Sequence, residues 1–298
     1  MPRIAYVDGR YLPHDRAGVH IEDRGYQFAD GVYEVCAVLG GKVLDFAPHM
    51  ARLRRSLNAL AIPCPVSPAA MAVIVAQVLR RNHLREGIVY IQVTRGVAPR
   101  DHGAGGRLTP VLVMTARRLD FKARAERARK GVAVTAVADE RWARCAIKSV
   151  SLLPNVLAKR AAGQAGGYEA WMVNQAGMVT EGASSNCWIV GKDGVLRTHP
   201  LTPAILEGIT RQTVARLAAA LGLVLEERAF TLAEAREAGE AFITSSTNFV
   251  MPVVAIDGVT LGSGRPGPVS LALAKGYWRH VAAQTGIDYW LSSGGSAD

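Results

Sequence analysis

Residues 117–130 read Arg117-Arg-Leu-Asp-Phe-Lys-Ala-Arg-Ala-Glu-Arg-Ala-Arg-Lys130, with seven basic and two acidic side chains in fourteen positions. So dense a run of charge resists burial, and it reads as a solvated linker or helix face. Apolar patterning stops before it and restarts after it. The chain therefore divides into a smaller N-terminal α/β domain (residues 1–120), a linker (121–130) and a larger C-terminal domain (131–298).

Working outward toward the N-terminus, residues 110–116 and 88–94 are rich in Val, Ile and Thr and read as strands. Residues 67–82 open with Ser67 and Pro68, a helix cap followed by a first-turn proline. Met50, Leu53, Leu57 and Leu60 form a helical stripe over residues 49–60. Two hairpins are expected: 4–7 with 10–12 around Asp8-Gly9, and 32–39 with 42–46 around Gly40-Gly41.

Toward the C-terminus, strands are expected at 131–138, 168–173, 178–180, 185–190, 223–230, 241–245 and 250–256. Helices are expected at 154–165, 209–221 (ended by Gly222), 232–238 and 268–284. The mixture is α+β in two lobes, and its many hairpins call for mixed, largely antiparallel sheets.

Composition narrows the function classes. Hydrophobic residues make up 49% of the 298 and charged residues 20%, a globular balance. Only the small, polar tail 292–298 is expected to be disordered. The net charge of +10 is mostly arginine spread along helices, so nucleic-acid binding is a remote alternative with no motif behind it. Residues 1–8 lack an apolar signal core and no run of 18 apolar residues exists, which argues against secretion and membrane spans. Cys36, Cys64, Cys145 and Cys187 form no CxxC pair and read as reduced cytoplasmic thiols. The seven histidines show no metal-ligand spacing, so no metal is expected. Gly262-Ser-Gly264-Arg-Pro-Gly267 matches a dinucleotide fingerprint in letters alone; lacking a following βαβ unit, it reads as a tight loop.

One lysine stands apart from the other six. Lys148 lies between Cys145-Ala-Ile147 and Val150-Ser-Leu-Leu153, mostly small or apolar neighbours. Desolvation favours the neutral, nucleophilic amine, the form that bonds to a carbonyl. A pyridoxal phosphate would need further handles, and the sequence offers candidates. Glu181 opens a small-residue turn, Gly208-Ile-Thr210 opens a helix suited to phosphate, and Thr244-Ser-Ser-Thr-Asn248 ends a strand with hydroxyls.

Together these pieces resemble the fold-type IV, or class IV, aminotransferases over most of the chain. Glu22-Asp-Arg-Gly-Tyr-Gln-Phe-Ala-Asp-Gly-Val-Tyr-Glu34 is similar to that family's opening signature, and His49-Met-Ala-Arg-Leu53 to its phosphate-binding arginine motif. The resemblance implies a two-lobed fold with Lys148 and Glu181 as catalytic residues, Glu181 serving the cofactor's ring nitrogen. It also implies phosphate contacts from Arg52, Ile209, Thr210, and Ser246 or Thr247. The choice between those two hydroxyls stays open, because the stretch reads Thr-Ser-Ser-Thr where relatives often have Ser-Thr-Thr.

Thr94-Arg-Gly-Val-Ala-Pro-Arg-Asp-His102 is similar to the D-amino-acid transaminase segment. That likeness implies a trap for the substrate α-carboxylate built from Tyr33, Arg100 and His102, a bidentate guanidinium with directed donors beside it. Val35 and Leu206 are candidates for the side-chain pocket. The implied reaction is ping-pong transamination of D-amino acids with a 2-oxo acid, in a cytoplasmic homodimer whose residues 100–102 reach the neighbouring subunit. Branched-chain L-amino-acid transaminases, (R)-amine transaminases and aminodeoxychorismate lyases share the fold and are the alternatives.

Overall fold

A computed structural model describes residues 3–103 and 106–292 of the chain. Positions 293–298, most of the tail expected to be disordered, lie outside the described residues. The chain forms two compact units, residues 1–120 with 147–151, and residues 121–146 with 152–298.

In chain order the first unit contains β1 (Ile4–Val7), β2 (Arg10–Pro13), α1 (Arg24–Phe28), β3 (Gly31–Leu39), β4 (Lys42–Val43), α2 (Phe46–Ala59), α3 (Pro68–Arg81), β5 (Gly87–Thr94) and β6 (Val111–Arg117). Its sheet runs β2-β1-β6-β5-β3-β4, and every pairing is antiparallel. The Asp8-Gly9 turn takes φ of 41° and 90°, the paired positive angles that close a two-residue hairpin. The second hairpin is shorter than its sequence suggests. Asp45 turns left-handed at φ 52°, and Phe46 opens α2 where strand was expected to continue. Helix α3 matches its signals: Ser67 Oγ accepts from the Ala70 N–H at 3.2 Å.

Alternation along β3 and β5 decides which side chains are sealed. Val32, Cys36 and Val38 of β3, with Val89, Ile91 and Val93 of β5, pack under Leu53, Leu57, Met71, Val75 and Val78 from the two helices. Tyr33, Val35, Tyr90 and Gln92 point to the opposite face and stay partly exposed. The short segment 147–151 pairs with the start of β3. Ser149 bridges Val32 in antiparallel sense, and Ile147 enters the core.

The second unit contains α4 (Phe121–Lys130), β7 (Val132–Ala138), α5 (Leu153–Gln164), β8 (Glu169–Val173), β9 (Val179–Gly182), β10 (Asn186–Val190), β11 (Leu196–Thr198), α6 (Ile209–Ala220), β12 (Leu225–Glu227), α7 (Leu232–Glu237), β13 (Glu240–Ser245), β14 (Phe249–Ile256), β15 (Val259–Thr260), α8 (Pro268–Thr285) and α9 (Tyr289–Ser292). The strands order as β12-β11-β10-β13-β14-β7-β8-β9, with β15 on β14, in a mixed sheet. Parallel pairs join β11 to β12 and β7 to both β14 and β8.

Residues 121–130, charged enough to read as a linker, are a helix of this unit. Phe121, Ala125 and Ala128 make a buried stripe at helical spacing, and Phe121 stacks on Phe249 with ring centroids 4.9 Å apart. Strand β12 is three residues of the expected eight, since it sits at the sheet edge and pairs only with β11. The 262–267 loop leads into α8, whose first turn is met by a protein carboxylate. Glu240 accepts from the Val269 and Ser270 N–H groups at 3.0 and 2.8 Å.

Candidate active-site residues

In the first unit, Lys148 is held by its backbone. Its N–H donates to Ser56 Oγ at 3.1 Å, and its carbonyl accepts from the Tyr33 N–H at 3.0 Å. The Val150 N–H completes the pairing with the Gly31 carbonyl at 3.0 Å. The side chain is only partly exposed, with Nζ 4.3 Å from the Tyr33 ring centroid. Tyr33 in turn lies 5.6 Å from the Tyr90 ring. Burial, with Tyr33 nearby, pushes the Tyr90 hydroxyl up to about 12, and it donates to Gln92 Oε1 at 2.7 Å. Val35 is the register partner of Tyr90 on the same partly exposed face. Lys148, Tyr33 and Val35 thus belong to one neighbourhood, although Lys148 is more than a hundred positions from β3.

Arg52 has a partner that its motif does not reveal. Its Nε and Nη2 donate to the two carboxylate oxygens of Glu34, both at 2.8 Å, and His49 Nδ1 lies 2.7 Å from Glu34 Oε2. All three side chains are buried, Glu34 completely. Burial opposes the charge on Glu34, but Arg52, aided by His49, more than offsets it and holds the carboxyl at about 2.

Arg100 and His102 stand on an exposed loop beyond β5. Both rest on Phe28, whose ring lies 4.8 Å from the Arg100 guanidinium carbon and 5.1 Å from the His102 ring. Helix α1 fits closely beneath, for a Cβ on Gly25 would come within 2.2 Å of Thr94 Cγ2.

In the second unit, Glu181 is buried on β9. One carboxylate oxygen meets Arg141 Nη1. The other accepts from the Asn186 side-chain amide and the Leu206 N–H, each at 3.0 Å. Arg141 is also paired with Asp139 through Nε at 2.9 Å and Nη2 at 2.7 Å, and Nη2 donates to the Ala204 carbonyl at 3.1 Å. Burial works against the charge on Arg141, but Asp139 and Glu181 outweigh it and keep the guanidinium firmly protonated.

Asn186 gathers the rest. Its amide donates to the Leu206 carbonyl at 2.8 Å, and it is the register partner of Thr244. A Cβ on Gly208 would lie 2.2 Å from its Oδ1, so only glycine fits at the start of α6. Gly208 brings no side chain to cap that helix; Ile209 and Thr210 follow, both buried, with Thr210 Oγ1 3.5 Å from Tyr277 Oη. In the turn after β13, Thr247 Oγ1 lies 3.4 Å from Ser245 Oγ, while Ser246 makes no side-chain hydrogen bond among the described residues. Leu206 commits its backbone to this network and leaves its side chain partly exposed.

The second unit therefore gathers Glu181, Leu206 and the start of α6 (Ile209, Thr210) around Asn186, with Ser246 and Thr247 in the turn after β13, and the first combines Tyr33, Val35 and Lys148, with Arg52 on the buried side of β3. Sequence reading did not find Glu34, His49, Arg24, Arg141, Asp139 or Asn186 as supporting residues. Arg24, Glu34 and His49 lie inside the stretches that resemble the family's motifs; Arg141 is one arginine among 28. The groups present suit pyridoxal phosphate: an amine amid apolar neighbours, a fixed buried carboxylate, and a glycine-started helix whose first turn no side chain caps. Among the described residues no group of His, Cys, Asp and Glu is arranged to hold a metal, and no helix is long and apolar enough to cross a membrane.

Comparison with known proteins finds aminotransferases over nearly the whole chain. The chain is 41% identical over 278 residues to a D-alanine aminotransferase of Bacillus licheniformis, covering 93% of this chain and 97% of that protein. It is 38% identical over 281 residues to a D-alanine aminotransferase of Listeria monocytogenes, covering 94% and 96%. Among solved structures, a T.th. branched-chain amino acid aminotransferase complexed with N-(5'-phosphopyridoxyl)-L-glutamate superposes with a TM-score of 0.84. The two share 25% identity, over 98% of this chain and 97% of that one. A family model described as amino-transferase class IV matches residues 31–256, and the chain belongs to that family.

Proposed function

We propose that this enzyme transaminates D-amino acids such as D-alanine with a 2-oxo acid, using pyridoxal phosphate. The observation that carries the reading is the near full-length relationship to D-alanine aminotransferases, at up to 41% identity. Pyridoxal phosphate, when bound, supplies an electron sink for the negative charge left at the α-carbon when its proton departs. Lys148 Nζ is the residue that would hold the cofactor and would take and return the α-proton, with the Tyr33 ring beside it to limit its motion. Glu181, which meets Arg141, would face the ring nitrogen and favour its protonated form. Arg52, Ile209, Thr210 and Ser246 or Thr247 hold the phosphate, with Ser246 the better hydroxyl donor because Thr247 already faces Ser245. Arg100, His102 and Tyr33 bind the substrate carboxylate, and Val35 and Leu206 border its side chain.

The enzyme acts as a cytoplasmic homodimer in this reading, with residues 100–102 serving the neighbouring subunit. Exposed Ile21, Tyr26 and Val97 around α1 supply apolar surface for that association. The decisive assay mixes purified holoenzyme with D-alanine and 2-oxoglutarate and measures pyruvate, beside L-alanine and L-leucine. Pyruvate from D-alanine alone is expected. Turnover of L-leucine in its place would move the substrate to the branched-chain class, and no turnover of any amino donor would end the transaminase reading.

A further inference from the structure

Helix α1 and the loop at 100–102 are joined by a device that the reaction scheme does not use. Arg24 is buried, and its guanidinium reaches out on three sides. Nε donates to Asp30 Oδ2 at 2.9 Å, Nη1 to the Asp101 carbonyl at 2.6 Å, and Nη2 to the His102 carbonyl at 3.1 Å. Its guanidinium carbon lies 4.8 Å from the Phe28 ring centroid, and that same ring carries the Arg100 guanidinium and the His102 imidazole. Asp30 also binds Arg95, through Nε at 2.7 Å and Nη2 at 3.0 Å. The Arg24 N–H donates to the Gly96 carbonyl at 2.9 Å. Helix α1 thus grips the chain both where it leaves β5 and where the loop presents Arg100 and His102.

An exposed loop must lose conformational freedom before two of its side chains can bind one carboxylate, and that cost falls on affinity unless the loop is ordered beforehand. A guanidinium fork that ties two consecutive carbonyls, on a ring that supports both flanking side chains, supplies that order. A lysine ammonium could not span the same three acceptors in one plane. We propose that Arg24 and Phe28 are positioning residues for substrate specificity: they preset residues 100–102 to receive an α-carboxylate. The inference rests on the reading of Arg100 and His102 as carboxylate ligands.

The test compares Arg24→Gln, Phe28→Leu, Phe28→Tyr and Arg100→Ala holoenzymes on D-alanine and on an (R)-amine without a carboxylate, (R)-1-phenylethylamine. The half-reaction is followed by cofactor absorbance. Arg24→Gln should raise the D-alanine KM roughly tenfold with kcat within about threefold, and leave the amine reaction unchanged. Phe28→Leu should do the same more weakly, and Phe28→Tyr, which keeps the ring, should behave as the parent. A readout independent of cofactor is trypsin cleavage after Arg100 in the apo-protein, expected to be faster in Arg24→Gln. Should Arg24→Gln not fold, the Phe28→Leu and Phe28→Tyr pair decides by the same criteria. Equal losses on both substrates, or no loss on either while Arg100→Ala loses D-alanine selectively, overturn the proposal alone. If Arg100→Ala shows no selectivity, the carboxylate role of the loop is what fails.

Discussion

Each unit buries a carboxylate against an arginine, and the two arrangements differ in charge and closure. In the first, Glu34 is fully sealed and answered by Arg52 on two bonds and by His49 on a third. In the second, Arg141 is shared between Asp139 and Glu181, so these three side chains carry two carboxylates against one guanidinium. Glu34 fixes Arg52 in place, and the charges of such a sealed pair are expensive to bury and costly to break singly. Glu181 instead shares the Arg141 guanidinium with Asp139, and its proposed further partner is a protonated pyridine nitrogen. Two buried acids of similar chemistry thus sit in different settings, and the proposed role of Glu181 in catalysis has no counterpart at Glu34.

Substitutions separate the two arrangements, and Lys148 sets the scale of the effects. Lys148→Ala should abolish the visible absorbance of bound cofactor and lower turnover by about a thousandfold or more. Retention of both would remove the central assignment. Next, Glu181→Gln should lower kcat by roughly a hundredfold or more with cofactor still bound and melting little changed, since Arg141 keeps Asp139. Steady-state rates beside thermal melts check this, and an unaltered kcat would sink the catalytic role.

Glu34→Gln should do the reverse. It leaves Arg52 with a neutral partner in the core and costs about 3 kcal/mol of stability, while kcat of the folded fraction changes little. Denaturant titration of both variants separates the cases; equal destabilisation would erase the distinction. The smallest effect is in acid. The Glu34 carboxyl titrates at about 2 in the folded chain against an ordinary 4.5, so its ion pair contributes fully above 4.5. That contribution is lost as pH falls from 4.5 toward 2, because the unfolded chain takes up the proton first. Melting curves of the parent and Glu34→Gln should therefore converge over that range; a constant gap would show that Glu34 is not the group responsible.

Local chemistry made much of this legible. Asp8-Gly9 and Gly40-Gly41 announced their hairpins because positive φ is a property of those residues themselves. Ser67-Pro68 announced α3 for the same kind of reason. Lys148 could be singled out because lysine is scarce and its neighbours are apolar. Segments whose extent depends on a partner were read less well. The strand expected at 42–46 yields to α2 after two residues, and that expected at 223–230 keeps only what β11 can pair. In 121–130 the surface charge concealed a three-residue buried stripe.

Residues and their near neighbours sufficed for the Asp8-Gly9 and Gly40-Gly41 turns, the Ser67 cap, most of the longer elements and a small set of residues suited to a cofactor. Those properties belong to individual side chains or to neighbours within a helical turn. Which of 28 arginines meets which acid was settled by the packing of the folded chain. Arg24 finds the carbonyls of residues 101 and 102, Arg52 finds Glu34 and Arg141 finds Glu181 across separations of 77 and 78, 18 and 40 positions. Guanidinium groups are chemically alike wherever they stand; strand register and helix docking, set by burial of the surrounding apolar residues, choose among them.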